Sequence, residues 1–206
     1  MDIKELENIA LDSQKDGFHI DSSYISPDLD TYAFFNQSSF RDRILSLQQQ
    51  YGNLLIADLG GSGNLAISEL NQFSSVEAFC IDLNPIFNPN FGYRQRMIIA
   101  DLNKILEIQD ETFDYMFSFN ALSYTIPSKS FPEIYRILKK GGTADIDLKF
   151  WAVSFYKEIL GLSFKDELFL NVQGREIPFN QTSELITSEN ALRLNILSKF
   201  VLKKRL

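Results

Sequence analysis

Over residues 1–52 the apolar positions keep no sustained period. They fall at helical spacing twice, from Ile3 to Ala10 and again at Phe40, Ile44 and Leu47. Ser38 or Ser39 offers an N-cap to the second stretch, and Gly52 follows its end. Between them, Tyr24 to Phe35 is rich in aromatic residues, contains Pro27 and reads as an irregular arm. The pattern changes at Asn53. From there short apolar runs alternate with helical stretches, predicting strands at Leu54–Asp58, Val76–Asp82, Arg96–Ala100, Phe113–Phe119 and Thr143–Lys149. Continuous runs such as Leu54–Ala57 and Ala78–Ile81 suit strands covered on both faces, as in a parallel sheet. A helix is expected over Phe131–Leu138, with Ser130 and Glu133 as a capping box and Gly141 as its terminator. Beyond Phe150 the signals predict a hairpin of Leu168–Val172 with Glu176–Phe179, a helix over 188–197 and a last strand Phe200–Lys204.

Strand and helix alternating at this rhythm predict an α/β fold: a doubly wound, Rossmann-like, mostly parallel sheet of six or seven strands. Helices would cover both faces, and residues 1–52 would form an N-terminal helical arm or cap. Composition narrows the possible partners. The 206 residues carry a net charge of −7, and such a surface repels phosphate backbones, so nucleic acid is not the expected partner. The single cysteine, Cys80, excludes an internal disulfide and a cysteine-based zinc site, and its apolar neighbours predict a buried thiol. No run approaches the roughly 20 apolar residues of a membrane span. The N-terminal segment has no signal-like hydrophobic stretch, so a soluble, cytoplasmic protein is expected.

The chemistry gathers where the predicted strands end. Leu54–Leu65 runs from a strand into a helix through Gly60, Gly61 and Gly63, where the missing Cβ lets the backbone lie close to a ligand. Asp58, Asp82, Asp101 and Asn120 all stand at carboxyl ends of successive strands, the rim on which open α/β sheets bind ligands. Each alone is explained as the cap of a following helix; together with the glycine turn they point to one extended polar ligand. Asp82 lies about 20 residues beyond the turn, the interval at which a carboxylate reaches two vicinal ribose hydroxyls.

At this point the chain resembles a class I S-adenosylmethionine-dependent methyltransferase of the small-molecule type. Five blocks carry the likeness in family order: I-A-D-L-G-G-S-G-N (56–64), F-C-I-D-L-N-P (79–85), I-I-A-D-L (98–102), F-D-Y-M-F-S-F-N-A-L (113–122) and I-Y-R-I-L-K-K-G-G (134–142). They span roughly residues 53–149, the implied cofactor half of a domain covering 53–206, with 150–206 on the substrate side. The resemblance implies S-adenosyl-L-methionine as cofactor. Asp58 and the Gly60, Gly61 and Gly63 backbone would hold its methionine end, Asp82 the ribose, Leu83 and Leu102 the adenine ring, Asp101 the adenine amino group and Asn120 the methionine amino group. The family pattern D-x-G-x-G-x-G has Ser62 and Asn64 at its second and third glycines here; either the turn is one residue shorter or both were substituted. Asn accepts left-handed geometry better than other residues with a side chain, whereas Ser62 adds bulk beside the cofactor.

Methyl transfer from a sulfonium depends mainly on alignment, with a general base needed only when the acceptor must lose a proton. Candidates for the catalytic surroundings are Tyr24, Tyr124 and His19, the one histidine. Tyr32 is expected to be a packing residue with its hydroxyl at the surface. The acceptor expected from the acidic surface and the aromatic arm is a small, partly apolar molecule, methylated at oxygen or nitrogen. Two other readings compete: a non-catalytic binding subunit that keeps the fold, and a nicotinamide-dependent oxidoreductase. The second lacks the G-x-G-x-x-G spacing.

Overall fold

A computed structural model describes residues 1–15, 17, 19–24, 27–36, 40–147, 153–172, 175–182 and 198–206. The candidate caps Ser38 and Ser39 and the helix expected over 188–197 lie outside the described residues. In chain order the elements are α1 (Ile3–Ser13), β1 (His19–Ile20), α2 (Leu29–Asn36), α3 (Phe40–Tyr51), β2 (Leu54–Leu59), α4 (Leu65–Leu70), β3 (Val76–Asp82), β4 (Ile86–Phe87) and β5 (Met97–Ile99). There follow β6 (Phe113–Phe119), α5 (Pro127–Ile137), β7 (Leu138–Asp147), α6 (Val153–Leu160), β8 (Leu168–Val172), β9 (Arg175–Pro178) and β10 (Ser198–Lys203).

Eight strands form one sheet in the order β5-β3-β2-β6-β7-β10-β8-β9. The first five in that order run parallel. β10 runs antiparallel to both β7 and β8, and β9 antiparallel to β8. The sheet therefore has more strands than the six or seven expected, because the C-terminal hairpin and last strand join it as well. β1 and β4 make a separate two-stranded parallel pair.

Side chains alternate across a strand, and here the alternation sorts two apolar layers. From β2, Leu55, Ala57 and Leu59 face a core shared with Leu6 and Ala10 of α1 and Phe131, Ile134 and Ile137 of α5. Leu54 and Ile56 face the other core, with Tyr32 of α2, Phe40, Ile44 and Leu47 of α3, and Ile67 and Leu70 of α4. The N-terminal helices thus belong to both layers: α1 covers one face of the sheet, α2 and α3 the other. Cys80 is fully buried in the second core.

Two details of the α5 region correct the expectation. The helix begins at Pro127, whose ring fits the first helical position because no intrahelical N–H bond is needed there. Ser130 therefore lies inside it, its hydroxyl donating to the Ile126 carbonyl at 3.2 Å. Glu133 closes no capping box; its carboxylate accepts the Leu106 amide at 2.6 Å and pairs with Arg136. Gly141 does not end this helix. It lies within β7 at φ 77°, where the register against β6 shifts.

Candidate functional site

The order of the sheet reverses direction between β2 and β6, so the connections leaving these strands part to opposite sides and leave a crevice at their carboxyl ends. A cleft of about 360 Å³ lies there, lined by Gly60, Asp82, Leu83, Ala100, Asp101, Leu102, Asn103, Phe119, Asn120, Ala121, Tyr124 and Thr125. Its size falls within the roughly 300–1,000 Å³ of small-molecule sites. Four strand ends supply it: β2, β3, β5 and β6.

The acidic groups on this rim are held by the backbone. Asp82 Oδ2 accepts the Ser62 amide at 3.0 Å and Oδ1 accepts the Asn84 amide at 2.7 Å. Asp101 Oδ1 accepts the backbone amide of Asn103 at 2.9 Å and its Nδ2 at 3.0 Å. The Asn103 amide leads in holding the Asp101 carboxyl below its usual pKa, so the group is ionised at neutral pH. Asn103 Oδ1 in turn accepts the Ile126 amide, joining the loop after β5 to the loop after β6. Asn120 begins that second loop at φ 61°, its amide donating to the Asp147 carbonyl at 2.9 Å. Leu83 and Tyr124 stand at the mouth, 66% and 80% exposed.

Of the predicted site residues, Gly60, Asp82, Leu83, Asp101, Leu102, Asn120 and Tyr124 converge on this cleft. Gly61 and Gly63 are buried in the turn, away from its wall. Asp58 lies beneath the turn. The strand alternation points its side chain to the α2 face, where it is fully buried and Oδ2 accepts the Tyr32 hydroxyl at 2.8 Å. Tyr32 thus departs from expectation: its ring packs, but its hydroxyl is buried on a carboxyl. Burial pushes the pKa of Asp58 up to about 8, against the Tyr32 hydrogen bond and with a further rise from Asp82. A Cβ on Gly61 would lie 2.2 Å from Asp58 Oδ2, so the turn can pass over the carboxyl only with glycine at that position.

The proposed catalytic trio is not brought together. His19 is exposed on β1, paired with β4, and Tyr24 donates to the Ser62 hydroxyl at 3.0 Å. Neither lines the cleft. In the turn, the left-handed residue that carries a side chain is Ser62 (φ 50°), whereas Asn64 sits at φ −105°. Sequence reasoning missed Asn103 and Thr125. The signal for Asn103 was the Asp-x-Asn spacing, in which an Asp side chain folds back onto an amide two residues on.

Residues 57–145 match the family model described as a methyltransferase domain. The family model thus likens the parallel part of the sheet, under half of the chain, to a methyltransferase domain. The matched segment runs from the middle of β2 through most of β7 and contains all of the cleft residues named above. No curated protein matches the chain. Among solved structures, similarity extends to geranyl diphosphate C-methyltransferase from Streptomyces coelicolor A3(2), at 15% identity over 98% of each chain with a TM-score of 0.49. It extends also to phosphoethanolamine N-methyltransferase 2 of Haemonchus contortus, at 13% identity over 86% of this chain, with a TM-score of 0.47. The chain spans 57% of that nematode enzyme's length. Among the described residues no helix is long and apolar enough to cross a membrane, and no group of three or more acidic, histidine or cysteine side chains could hold a metal.

Proposed function

We propose that the chain transfers a methyl group from S-adenosylmethionine to an oxygen or nitrogen of a small, partly apolar molecule. The observation carrying this reading is the cleft itself, in which two carboxylates, Asp82 and Asp101, flank the apolar side chains of Leu83 and Leu102. That spacing of charge and apolar surface fits a nucleoside. Asp82 spends one acceptor position per oxygen on backbone amides; a carboxylate offers about four, so it retains capacity for both ribose hydroxyls. Asp101 is the acceptor for the adenine amino group, with Leu83 and Leu102 against the ring. Gly60 and Asn120 face the methionine end, and Asp58 lies buried beneath the turn rather than touching the ligand.

The bound cofactor supplies an electrophilic methyl on a good leaving group. The protein's part is orientation and exclusion of water, which for a displacement supplies most of the acceleration. Tyr124 is positioned at the mouth to border the acceptor, and its phenol can donate to an acceptor oxygen or nitrogen. The net charge of −7 supports a small acceptor over a nucleic acid. We assign residues 53–149 to the cofactor and 150–206 to the acceptor side.

One observation favours a second reading, a binding subunit that keeps the fold without catalysis. A Cβ built on Gly60 would meet the Ala121 Cβ at 2.0 Å, so the loop after β6 lies close against the glycine turn where the methionine end belongs. Calorimetric titration with S-adenosylmethionine and S-adenosylhomocysteine separates the two. Micromolar binding, followed by radiolabelled methyl transfer to members of a panel of small alcohols and amines, is expected. Absence of binding at millimolar ligand refutes the enzyme reading.

A further inference from the structure

Ser62 and Asn64, the two departures from the glycine pattern, are the residues that fasten the N-terminal arm. Every polar group of Ser62 is engaged. Its N–H donates to Asp82 Oδ2 at 3.0 Å, its carbonyl accepts the Ile86 amide at 2.8 Å, and its hydroxyl accepts from the Tyr24 hydroxyl at 3.0 Å. These bonds hold a residue with a side chain at φ 50°, a left-handed conformation that residues other than glycine rarely adopt. Asn64 occupies the N-cap position of α4 but makes no capping bond. Its side chain is buried and turned to Asn88 instead. Nδ2 donates to the carbonyls of Asn88 (2.9 Å) and Gly92 (2.7 Å), and Oδ1 accepts the Asn88 amide at 2.9 Å.

Asn88, 4% exposed, extends the connection to the arm. Its Nδ2 donates to the carbonyls of Ser22 (3.2 Å) and Tyr24 (2.7 Å), and the Asp21 amide donates to the Phe87 carbonyl at 3.1 Å. Two buried asparagines thus clasp residues 21–24 to the turn, with main-chain groups as their partners. Glycine at 62 or 64 could supply none of these side-chain bonds.

We propose that this clasp makes the arm part of the nucleoside site. Tyr24, acting through Ser62, sets the orientation of the Asp82 carboxylate, so Tyr24, Ser62 and Asn64 are positioning residues for cofactor binding. The inference rests on the ribose-binding role of Asp82 proposed above. The Ser62 N–H points at Asp82 only while Ser62 keeps its left-handed backbone, and the Tyr24 hydroxyl is one of the contacts that hold it there.

Tyr24→Phe removes that hydroxyl and spares the Asn88 contact, which uses the Tyr24 carbonyl. The test measures S-adenosylhomocysteine dissociation constants for the parent, Tyr24→Phe, Ser62→Ala and the double variant. It also follows the Ser62 amide proton by NMR in the unliganded parent and in Tyr24→Phe. Each single variant is expected to bind roughly three- to tenfold more weakly, the loss of one hydrogen bond. The double variant should bind no more weakly than the weaker single, and the Ser62 amide proton should move upfield in Tyr24→Phe. An unchanged dissociation constant in Tyr24→Phe, or single effects that multiply in the double variant, overturns the proposal. If the parent itself fails to bind, the role of Asp82 falls, and the amide resonance still decides the coupling: a stationary resonance overturns it, a shifted one supports it.

Discussion

Asp58 carries an unusual charge problem whose consequence is measurable. Its carboxyl is fully buried, Tyr32 donates to one oxygen, and the other oxygen has no hydrogen-bond partner among the described residues. Burial raises its pKa from the ordinary 3.8 to about 8. Below pH 3.8 the folded and unfolded chains both hold the proton, and the group adds no pH dependence. Between about 4 and 8 the folded chain keeps the proton while the unfolded chain releases it, so stability falls as pH rises; above 8 both are ionised and the fall stops. The window from 3.8 to about 8 spans about 4 pH units. At about 1.4 kcal/mol per unit, this sets a ceiling of about 6 kcal/mol, a large part of a domain's usual 5–15 kcal/mol. Asp58→Asn keeps an acceptor for the Tyr32 hydroxyl and removes the ionisation. Thermal unfolding at constant ionic strength from pH 5 to 9 should show the parent losing roughly 6–12 °C between pH 6 and 8, as about 3 kcal/mol implies for a chain of this size, with the variant nearly flat. Asp21, Asp28 and Asp101 do not confuse the measurement. Hydrogen bonds from Ser23, Thr31 and Asn103 hold them below 3.8, so their contributions are present above that pH and fade as pH falls through a lower range. Parallel profiles for parent and Asp58→Asn would refute the reasoning.

Three further outcomes are expected. Asp82→Ala should weaken S-adenosylhomocysteine binding by roughly 1–3 kcal/mol in calorimetry, with little change in melting temperature, because the group sits on the rim rather than in the core. Gly60→Ala should destabilise the fold by about 2–5 kcal/mol in urea titration, since φ is 77° and the new Cβ would lie 2.0 Å from that of Ala121. Arg136→Met should cost about 3 kcal/mol by the same assay: it leaves buried Glu133 unpaired and frees the carbonyls of Leu106 and Ile108.

The parallel core was legible because its strands are covered on both faces and so read as unbroken apolar runs; β3 and β6 begin and end where the pattern places them. The rim followed from the strand ends, since a turn after a buried strand must carry its polar groups there. What escaped depended on contacts distant in the chain. No local feature told that β10 would insert between β7 and β8, or that the Tyr32 hydroxyl would meet Asp58 across 26 residues. Gly141 was misread because a glycine after a helical run looks the same whether it caps the helix or bends the strand that follows. At Ser62 propensity pointed to the wrong residue: three hydrogen bonds outweigh the intrinsic preference that favours Asn64 for left-handed geometry.

The insertion of β10 bears on how the protein is made. On the ribosome, β7 and the β8–β9 hairpin are synthesised with no strand between them, and each presents an open edge until β10 arrives. Such edges recruit strands from other chains. Joining the parallel part of the sheet to the β8–β9 hairpin therefore needs a strand from later in the chain, and substitutions that weaken β10 should lower yield during expression.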